Sequence, residues 1–362
     1  MITIEGVTYD ISAFQHPGGE VIHAFEGDVD ATDMFLALHP PNSRAWKTLN
    51  ALPVISRNSS ILSPYQHLHS RVMELVKRPS YATRVRQWMV YQIMLGVGLT
   101  VMWVMLLLLK AWILSCVGYS VAMLHMGWLA HHAIHRQFGH RFSPWLVDLV
   151  TGFSSEWWHQ KHNVLHHSHT NVLDHDTDIQ GGIFAFDPSQ PSIPYQHVFF
   201  WPILSVLRIL WCVNGLRHGS VFAALHHVIV GGVLLSQCTP VLAGTWYLTS
   251  NLFSGFMMGF VVVQSHNAEI VMHEQGTDHL KHTAITTRNM PSGLFNDFFS
   301  GYLNYQIEHH LFPWLPCVFF ADIQPMVKTA MAAQELPYTQ MSWTESVIKL
   351  YRHMRSVKMH LS

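Results

Sequence analysis

Histidine is the residue type in this sequence that offers most for chemistry, with 28 copies in 362 residues. Three groups of histidines have spacings that place their side chains on one face of a helix. The groups are His131 and His135 in AHHAIH; His162, His166 and His167 in KHNVLHHSHTN; and His309 and His310, preceded by Gln306, in YQIEHHLF. We expect these side chains to be ligands of one common site.

Imidazole nitrogens in such numbers indicate a transition metal, because imidazole binds zinc, copper, iron and nickel. Seven histidines exceed what one ion takes, so the pattern predicts more than one ion, although spacing alone does not choose the element. Carboxylates close to the groups could orient the rings: Asp148, Glu156, Asp174, Asp176, Asp178 and Glu308. The 4 cysteines contain no C-x-x-C pair, which argues against a thiolate site or a disulfide scaffold.

The composition indicates a polytopic membrane protein. Hydrophobic residues make up 49% of the chain and charged residues 12%, and the mean hydropathy is +0.17. A formal net charge of -1 without a long basic run gives no reason to expect a nucleic-acid partner. The first residues lack the apolar segment of a secretory signal, so we expect the N-terminus to stay in the cytosol.

Four apolar segments are predicted to cross the membrane as two hairpins: 88–109 with 111–130, and 221–236 with 241–264. Residues 197–216 contain Pro202 and Arg208 and are predicted to lie in the interface or, less favourably, to cross. An even number of crossings between the histidine groups keeps them on one side. Basic residues before the first span, including Arg71, Lys77 and Arg84, identify that side as the cytosol.

A second chemical pattern lies near the N-terminus. His16 stands in the turn H-P-G-G, and His39 follows a predicted helix that contains Met34, Phe35 and Leu36. Two histidines that frame an apolar crevice are suited to axial ligation of a haem.

The order HHAIH, HNVLHHSHTN, QIEHHLFP resembles the three histidine boxes of membrane fatty acid desaturases, and the glutamine that opens the third box resembles the front-end subgroup. The resemblance covers roughly Trp128 to Lys328. It implies a non-haem di-iron centre that activates dioxygen. The implied iron ligands are His131, His135, His162, His166, His167, His309 and His310, with Gln306 and His266 as further candidates. His132 stands where the family often has aspartate, which leaves the usual carboxylate at that position in doubt.

The N-terminal stretch resembles a cytochrome b5 domain, shortened by the helix and strand that usually precede VTYD. The resemblance implies haem b between His16 and His39. It also implies electrons from NADH-cytochrome b5 reductase, with a separate cytochrome b5 as a further possible donor.

The expected fold is therefore mainly α. A small α+β domain comes first in the chain, and a helical membrane protein with a cytosolic histidine-rich di-iron cap follows it. The expected divisions are 1–57 (cytochrome b5-like), 58–87 (linker), 88–345 (desaturase) and 346–362 (tail). The expected protein is a multi-pass enzyme of the endoplasmic reticulum membrane with both termini cytosolic, and its substrate is a polyunsaturated acyl lipid or acyl-CoA. Two alternatives stay open: a sphingoid-base desaturase or hydroxylase on the same scaffold, and a histidine-rich metal transporter.

Overall fold

A computed structural model describes residues 1–27, 29–59, 61–138, 143–179, 182–274 and 276–357, and it is mainly helical. The N-terminal unit contains an antiparallel sheet, with strands in the order β1 (Ile2–Ile4), β2 (Val7–Tyr9) and β3 (Val54–Arg57). Glu5 and Gly6 connect β1 to β2 with φ of 51° and 73°, as a two-residue hairpin turn with two left-handed positions requires. Strand β1 precedes VTYD, so one of the two elements expected to be missing there has a counterpart.

The long connection between β2 and β3 carries both histidines of the predicted haem crevice. It contains a 3-10 helix (Gly19–Phe25) and the helices α1 (Thr32–Leu38) and α2 (Arg44–Leu49). Apolar side chains from the sheet and from these helices form a small core, which includes Ile4, Tyr9, Phe25, Met34 and Leu49. His39 is the residue that ends α1.

Helix α3 (Pro64–Val76) fixes the N-terminal unit to the rest of the molecule, in the region expected to be a linker. The Ser63 hydroxyl caps it by accepting the Gln66 N–H at 3.0 Å. Its buried face packs into the core that surrounds the third histidine group, and the Tyr65 hydroxyl donates to the Leu311 carbonyl at 2.7 Å. Gln66 reaches back to Asp33 in α1 at 2.9 Å.

Two long apolar helices, α4 (Ser80–Leu108) and α5 (Trp112–Ile134), form the first hairpin. Lys110 makes the turn with a φ of 57°. Both helices are long and apolar enough to cross a membrane, as expected for this part of the chain. Helix α5 ends within the first histidine group.

The chain between the first and third histidine groups forms helices of several lengths. They are α6 (Pro144–Thr151), α7 (Ser155–Trp158), a π-helix (His159–His166), α8 (Gln196–Leu204), α9 (Leu207–Arg217), α10 (Val221–Leu235) and α11 (Pro240–His266). Of these, α11 alone is long and apolar enough by itself to span, within the described residues. Helices α8 and α9 are bent by 60° and together could form one more span.

The span count is therefore three by length and composition, or four if α8 and α9 make one broken span. This differs in detail from the predicted second hairpin, because α10 has 15 residues and a full crossing takes about 20. The bend between α8 and α9 approaches α11 closely at Gly255, where an added Cβ would lie 2.2 Å from the Ser205 carbonyl oxygen.

The C-terminal end of α6 is buried, and side chains from the apolar helices satisfy its carbonyl groups. The Arg208 guanidinium donates to the Thr151 oxygen at 2.8 Å. His226 bonds the Leu149 oxygen at 2.9 Å, and His227 bonds the Gly152 oxygen at 2.9 Å. These bonds fix the helix that leads into α7 and the second histidine group.

The remaining helices surround the third histidine group. They are α12 (His279–Thr286), α13 (Leu294–Ser300), α14 (Gln306–Leu311), α15 (Phe320–Ala333) and α16 (Trp343–Ser356), with 3-10 turns at Leu303–Tyr305 and Cys317–Phe319. Helix α14 stops just before Pro313, as the prolines after the third group predict. Helix α16 begins with a capping box of Ser342 and Glu345 and covers the first part of the expected tail, whose residues 358–362 lie outside the described residues.

Candidate metal centre

Each predicted ligand group lies at or near the end of a helix and is buried. His131 belongs to the last turn of α5, and His135 is the residue that ends it. His266 is the last residue of α11. All three side chains are at most 5% exposed, so helices with apolar surfaces carry their imidazoles into one polar interior.

The second group lies on a π-helix, which the sequence pattern did not predict. Residues 159–166 have this wider turn, with His167 as its C-cap. Because a π-helix bonds residue i to i+5, the residues four and five positions on flank residue i instead of turning away from it. His166 and His167 therefore both stay beside His162, with ring centroids 5.2 and 4.7 Å from the His162 ring.

The described histidines gather into adjoining groups that could hold metal ions. The first contains His131, His135, His162 and His309; the second contains His166, His266 and His310; and His167 forms a further group with His309 and His310. In each group the nearest ligand atoms lie within 4.8 Å of one another. Because His309 and His310 occur in more than one group, the groups form one continuous cluster with room for more than one ion.

The spacing of the nitrogens fits a shared ion. Nε2 of His162 lies 3.0 Å from Nε2 of His131 and 3.3 Å from Nε2 of His167. Two ligand atoms that bind one ion at about 2.1 Å lie about 3.0 Å apart at a right angle and about 3.4 Å apart at a tetrahedral angle.

Several nitrogens of the cluster have no hydrogen-bond partner among the described residues: Nδ1 of His131 and His167, Nε2 of His135, and both nitrogens of His309. Buried polar atoms without partners are costly. A metal ion would satisfy the nitrogens that face the interior of the cluster, so the residues fit the metal that their pattern implies.

Gln306 lies beside the second group. Its Nε2 is 3.0 Å from Nε2 of His266 and 3.4 Å from Nε2 of His310, while its Oε1 is buried without a described partner. The two ends of an amide exchange by rotation through 180°. The rotated amide would turn its oxygen, which can bind a metal, toward the imidazoles.

A buried carboxylate orients the second group. Both oxygens of Asp176 lie near Nδ1 of His166, at 3.0 and 3.1 Å, and Asp176 is 0% exposed. This bond holds a proton on Nδ1 and leaves Nε2 for a metal. Burial alone would lower the pKa of His166, but Asp176 and Asp178 outweigh it and raise that pKa above its ordinary value.

Uncharged partners orient other rings of the cluster. Nδ1 of His266 bonds the Thr286 carbonyl oxygen at 3.1 Å, and Nδ1 of His310 lies 3.1 Å from the Thr170 hydroxyl. Asn163 Nδ2 lies 3.0 Å from Nδ1 of His135. Asn163, Thr170 and Thr286 could not be identified from the sequence, because neutral residues in polar segments carry no periodic signal.

The protein keeps most of these rings neutral. Burial lowers the pKa of His162 to about 4. It also lowers the pKa of His167, His309 and His310 well below the ordinary value, with a further contribution from neighbouring imidazoles. Since these values lie below 7, the rings are uncharged near neutral pH, which is the form that binds metal.

The other carboxylates proposed from sequence have different surroundings. Asp178 pairs with Lys161 and lies 3.7 Å from Nδ1 of His162. The oxygens of Asp148 accept from Ser155 and Ser220 instead of a histidine. Asp174 and Glu156 are exposed, with no described contact to the cluster.

Glu308 holds α14 in place without touching a described imidazole nitrogen. Asn289 donates to it at 2.7 Å and Tyr338 at 2.8 Å, and burial raises its pKa. Asn289 also accepts the Ile307 N–H at 2.8 Å. The third histidine group is thus positioned by Asn289 and Tyr338, which the sequence analysis did not identify.

His132 points away from the cluster. Its ring lies 5.2 Å from Trp88 and 6.0 Å from Phe138 between ring centroids, and its Nε2 is 3.8 Å from the sulfur of Cys317. The residue in the aspartate position of the first box therefore packs against apolar groups and, within the described residues, makes no hydrogen bond to a predicted ligand.

His16 and His39 face each other across the crevice of the N-terminal unit, with ring centroids 6.1 Å apart. Two imidazoles on opposite sides of one iron have a similar centroid separation, about 6 Å. Nδ1 of His39 donates to the Phe35 oxygen at 3.0 Å, which leaves Nε2 free, and the Gly18 N–H donates to Nδ1 of His16 at 3.1 Å. A Cβ at Gly18 would lie 2.9 Å from the His16 ring, so the H-P-G-G turn needs glycine there.

Comparison with known proteins places this architecture among lipid-modifying enzymes. A profile of the fatty acid desaturase family matches residues 110–342. The chain is 29% identical to a delta(8)-fatty-acid desaturase of Euglena gracilis, over 96% of this chain and 92% of that protein. It is 26% identical to a delta(6)-fatty-acid desaturase of Caenorhabditis elegans, over 96% and 93%. It is 31% identical to a delta(5) fatty acid desaturase of the same organism, over 62% and 59%.

The contact between Asp176 and His166 generates a prediction about metal retention. Asp176→Asn keeps the shape of the side chain but removes the charge that holds the proton on Nδ1, so we expect the metal affinity to fall by about 10- to 100-fold. Competition with a graded series of chelators, followed by metal analysis of the protein, measures this change. The control is Asp174→Asn in the same segment, whose side chain is exposed. Equal metal retention by the Asp176 variant and wild type would show that the carboxylate does not orient a ligand.

Proposed function

The chain belongs to the fatty acid desaturase family and is an oxidoreductase; we propose that it acts as a front-end desaturase on polyunsaturated acyl chains. Such an enzyme forms a cis double bond between an existing double bond and the carboxyl end of the chain. The observation that carries the proposal is the continuous buried cluster of imidazoles from three separate segments. The similarity to delta(8), delta(6) and delta(5) desaturases supports the front-end position.

We propose that the cluster holds two iron ions. The first group with His131, His135, His162 and His309 would bind one ion, and the second group with His166, His266 and His310 the other. His167 lies between them, and Gln306 borders the second. When bound, the iron pair would supply the oxidising power of dioxygen, which no side chain can supply for an unactivated methylene.

The overall reaction balances with two external electrons. Two C–H bonds of adjacent methylenes break and a C=C bond forms, which removes two protons and two electrons from the acyl chain. Dioxygen takes these together with two electrons and two protons from outside and becomes two molecules of water. The carbon chain is oxidised and dioxygen is reduced.

The protein contributes position and environment to this reaction. His131 lies in the last turn of α5 and His266 is the last residue of α11, so the apolar surfaces that face lipid lead directly to the proposed ligands. Burial of the cluster excludes bulk water and keeps the rings neutral. Asp176 holds the proton on His166 Nδ1, and Thr286 and Thr170 orient His266 and His310.

The N-terminal unit is proposed to deliver the external electrons. His16 and His39 would hold haem b, whose iron changes oxidation state by one electron at a time. NADH-cytochrome b5 reductase is the proposed donor, and a separate cytochrome b5 would take over if the N-terminal unit held no haem. We propose an endoplasmic reticulum location with both termini in the cytosol, the compartment where these donors and the histidine cluster would meet.

Expression in yeast fed candidate polyunsaturated acids tests the function, with gas chromatography of the fatty acids. We expect one new double bond on the carboxyl side of an existing one. His166→Ala should reduce product by more than about 100-fold at equal expression, because it removes a metal ligand. His67→Ala is the control, since His67 is exposed on α3. A hydroxylated product or a desaturated sphingoid base would support the alternative activities, and an active His166 variant would contradict the metal assignment.

Absorbance spectroscopy tests the haem proposal. His16→Ala or His39→Ala should abolish a b-type difference between reduced and oxidised protein and should lower desaturation, because each imidazole would be one of the two side chains that hold the haem iron. His23→Ala is the matched control, because His23 lies in the same unit but pairs with Glu20 and Glu26 at the surface. Wild-type protein without such a spectrum would contradict the haem proposal and leave a separate cytochrome b5 as the donor.

A further inference from the structure

A cavity of 510 Å³ connects the N-terminal unit to the histidine cluster. Its size falls within the usual range for ligand and cofactor sites, about 300–1,000 Å³. One wall consists of apolar residues of the N-terminal unit together with His16 and His39. The opposite wall comes from the helical part and includes His135, Asn163, His167 and Trp314.

The two walls are joined by direct contacts. The Trp314 indole N–H donates to the Leu36 oxygen at 3.3 Å. The Phe25 ring lies 6.3 Å from the His169 ring, centroid to centroid. Tyr65 of α3 bonds to the helical part and Gln66 to the N-terminal unit, so the cavity has walls that neither unit supplies alone.

The charges on the cavity wall are of one sign. Arg44 from α2 and Arg136 from the turn after α5 line it, and no Asp or Glu does so among the described residues. Arg136 has a φ of 59° and makes no ion pair within the described ranges of the chain. The remaining lining is mainly apolar, so the cavity is complementary to an apolar ligand with more than one anionic group.

We propose that this cavity is a composite haem site, in which Arg44 and Arg136 bind the two propionate groups of the haem that His16 and His39 hold. The proposal rests on the haem assignment made above and adds the helical part as the second wall. Haem is an apolar macrocycle with two carboxylates, and guanidinium groups pair well with carboxylates. A fatty acid, with one carboxylate, would leave one arginine without a partner.

The composite site explains why His135 and His167 belong to both the metal cluster and the cavity wall. A cofactor bound there would share this wall with His135 and His167 of the histidine cluster. Electrons would then pass between the two sites within one chain, without a separate docking step.

Haem titration of the purified full-length chain in detergent tests the proposal, with the Soret absorbance as the readout. Arg44→Gln and Arg136→Gln should each weaken haem binding by roughly threefold to tenfold, since each removes one charge-assisted contact at a partly exposed site. Arg136→Lys should bind haem more tightly than Arg136→Gln, because lysine keeps the positive charge. Each Gln variant should also lower the reduction potential of the haem, because an unpaired propionate favours ferric iron.

Controls separate a specific contact from general damage. Arg57→Gln on β3 and Arg86→Gln on α4 change exposed arginines outside the cavity lining and should leave haem affinity and potential unchanged. Haem dimethyl ester, which lacks both carboxylates, should bind wild type and the Arg44 and Arg136 variants with equal affinity. Circular dichroism verifies that each variant is folded.

Three results would overturn the proposal. They are unchanged haem affinity in both cavity variants, an equal loss of affinity with the dimethyl ester, or a wild-type chain that binds no haem. Product formation measured in parallel separates this failure from failure of the desaturase proposal, because an active enzyme without these effects would contradict only the composite site.

Discussion

Burial of many imidazoles in one place is the constraint on which the rest of the structure depends. His309 and His310 are at most 2% exposed, and each lies within 4.8 Å of ligand atoms from other segments. Polar rings in such an interior are costly unless their nitrogens find partners. The cluster therefore makes sense as a metal site, and the surrounding structure can be understood as what brings three distant segments together and keeps them there.

Both neutral and charged contacts position the imidazole rings of the cluster. Carbonyl and hydroxyl oxygens of Thr286 and Thr170 orient rings without adding charge, whereas Asp176 adds one carboxylate at His166. Farther out, Asn289 and Tyr338 hold Glu308, and through it α14. The end of α6 is held by side chains of α9 and α10, namely Arg208, His226 and His227. These bonds fix the position of the chain that leads into the second histidine group.

The periodic features of the chain could be predicted from sequence. Helical spacing identified the histidine groups that converge in the structure, and long apolar runs identified α4, α5 and α11. The π-helix at 159–166 could not be foreseen, because α- and π-turns share the same residue preferences and only tertiary packing selects the wider turn. The predicted segment 221–236 agrees with α10 to within one residue, but its 15 residues are fewer than the about 20 of a full crossing.

Contacts between the N-terminal unit and the helical part could not be predicted from the sequence. The region 58–87 has the polar composition of a linker, yet one face of α3 is apolar and packs against α15 in the core around the third histidine group. Asn163, Asn289 and Tyr338 act through single hydrogen bonds, which leave no periodic trace. Arg44 and Arg136 are 92 positions apart, and only the folded chain places both on one cavity.

The metal content of the purified full-length chain tests the central claim most directly. Mass spectrometry of the metals, with the protein quantified by amino-acid analysis, gives the number and identity of ions per chain. The account predicts two iron ions per chain, one for each of the adjoining histidine groups. A single ion per chain, or zinc in place of iron in protein that makes product, would contradict it.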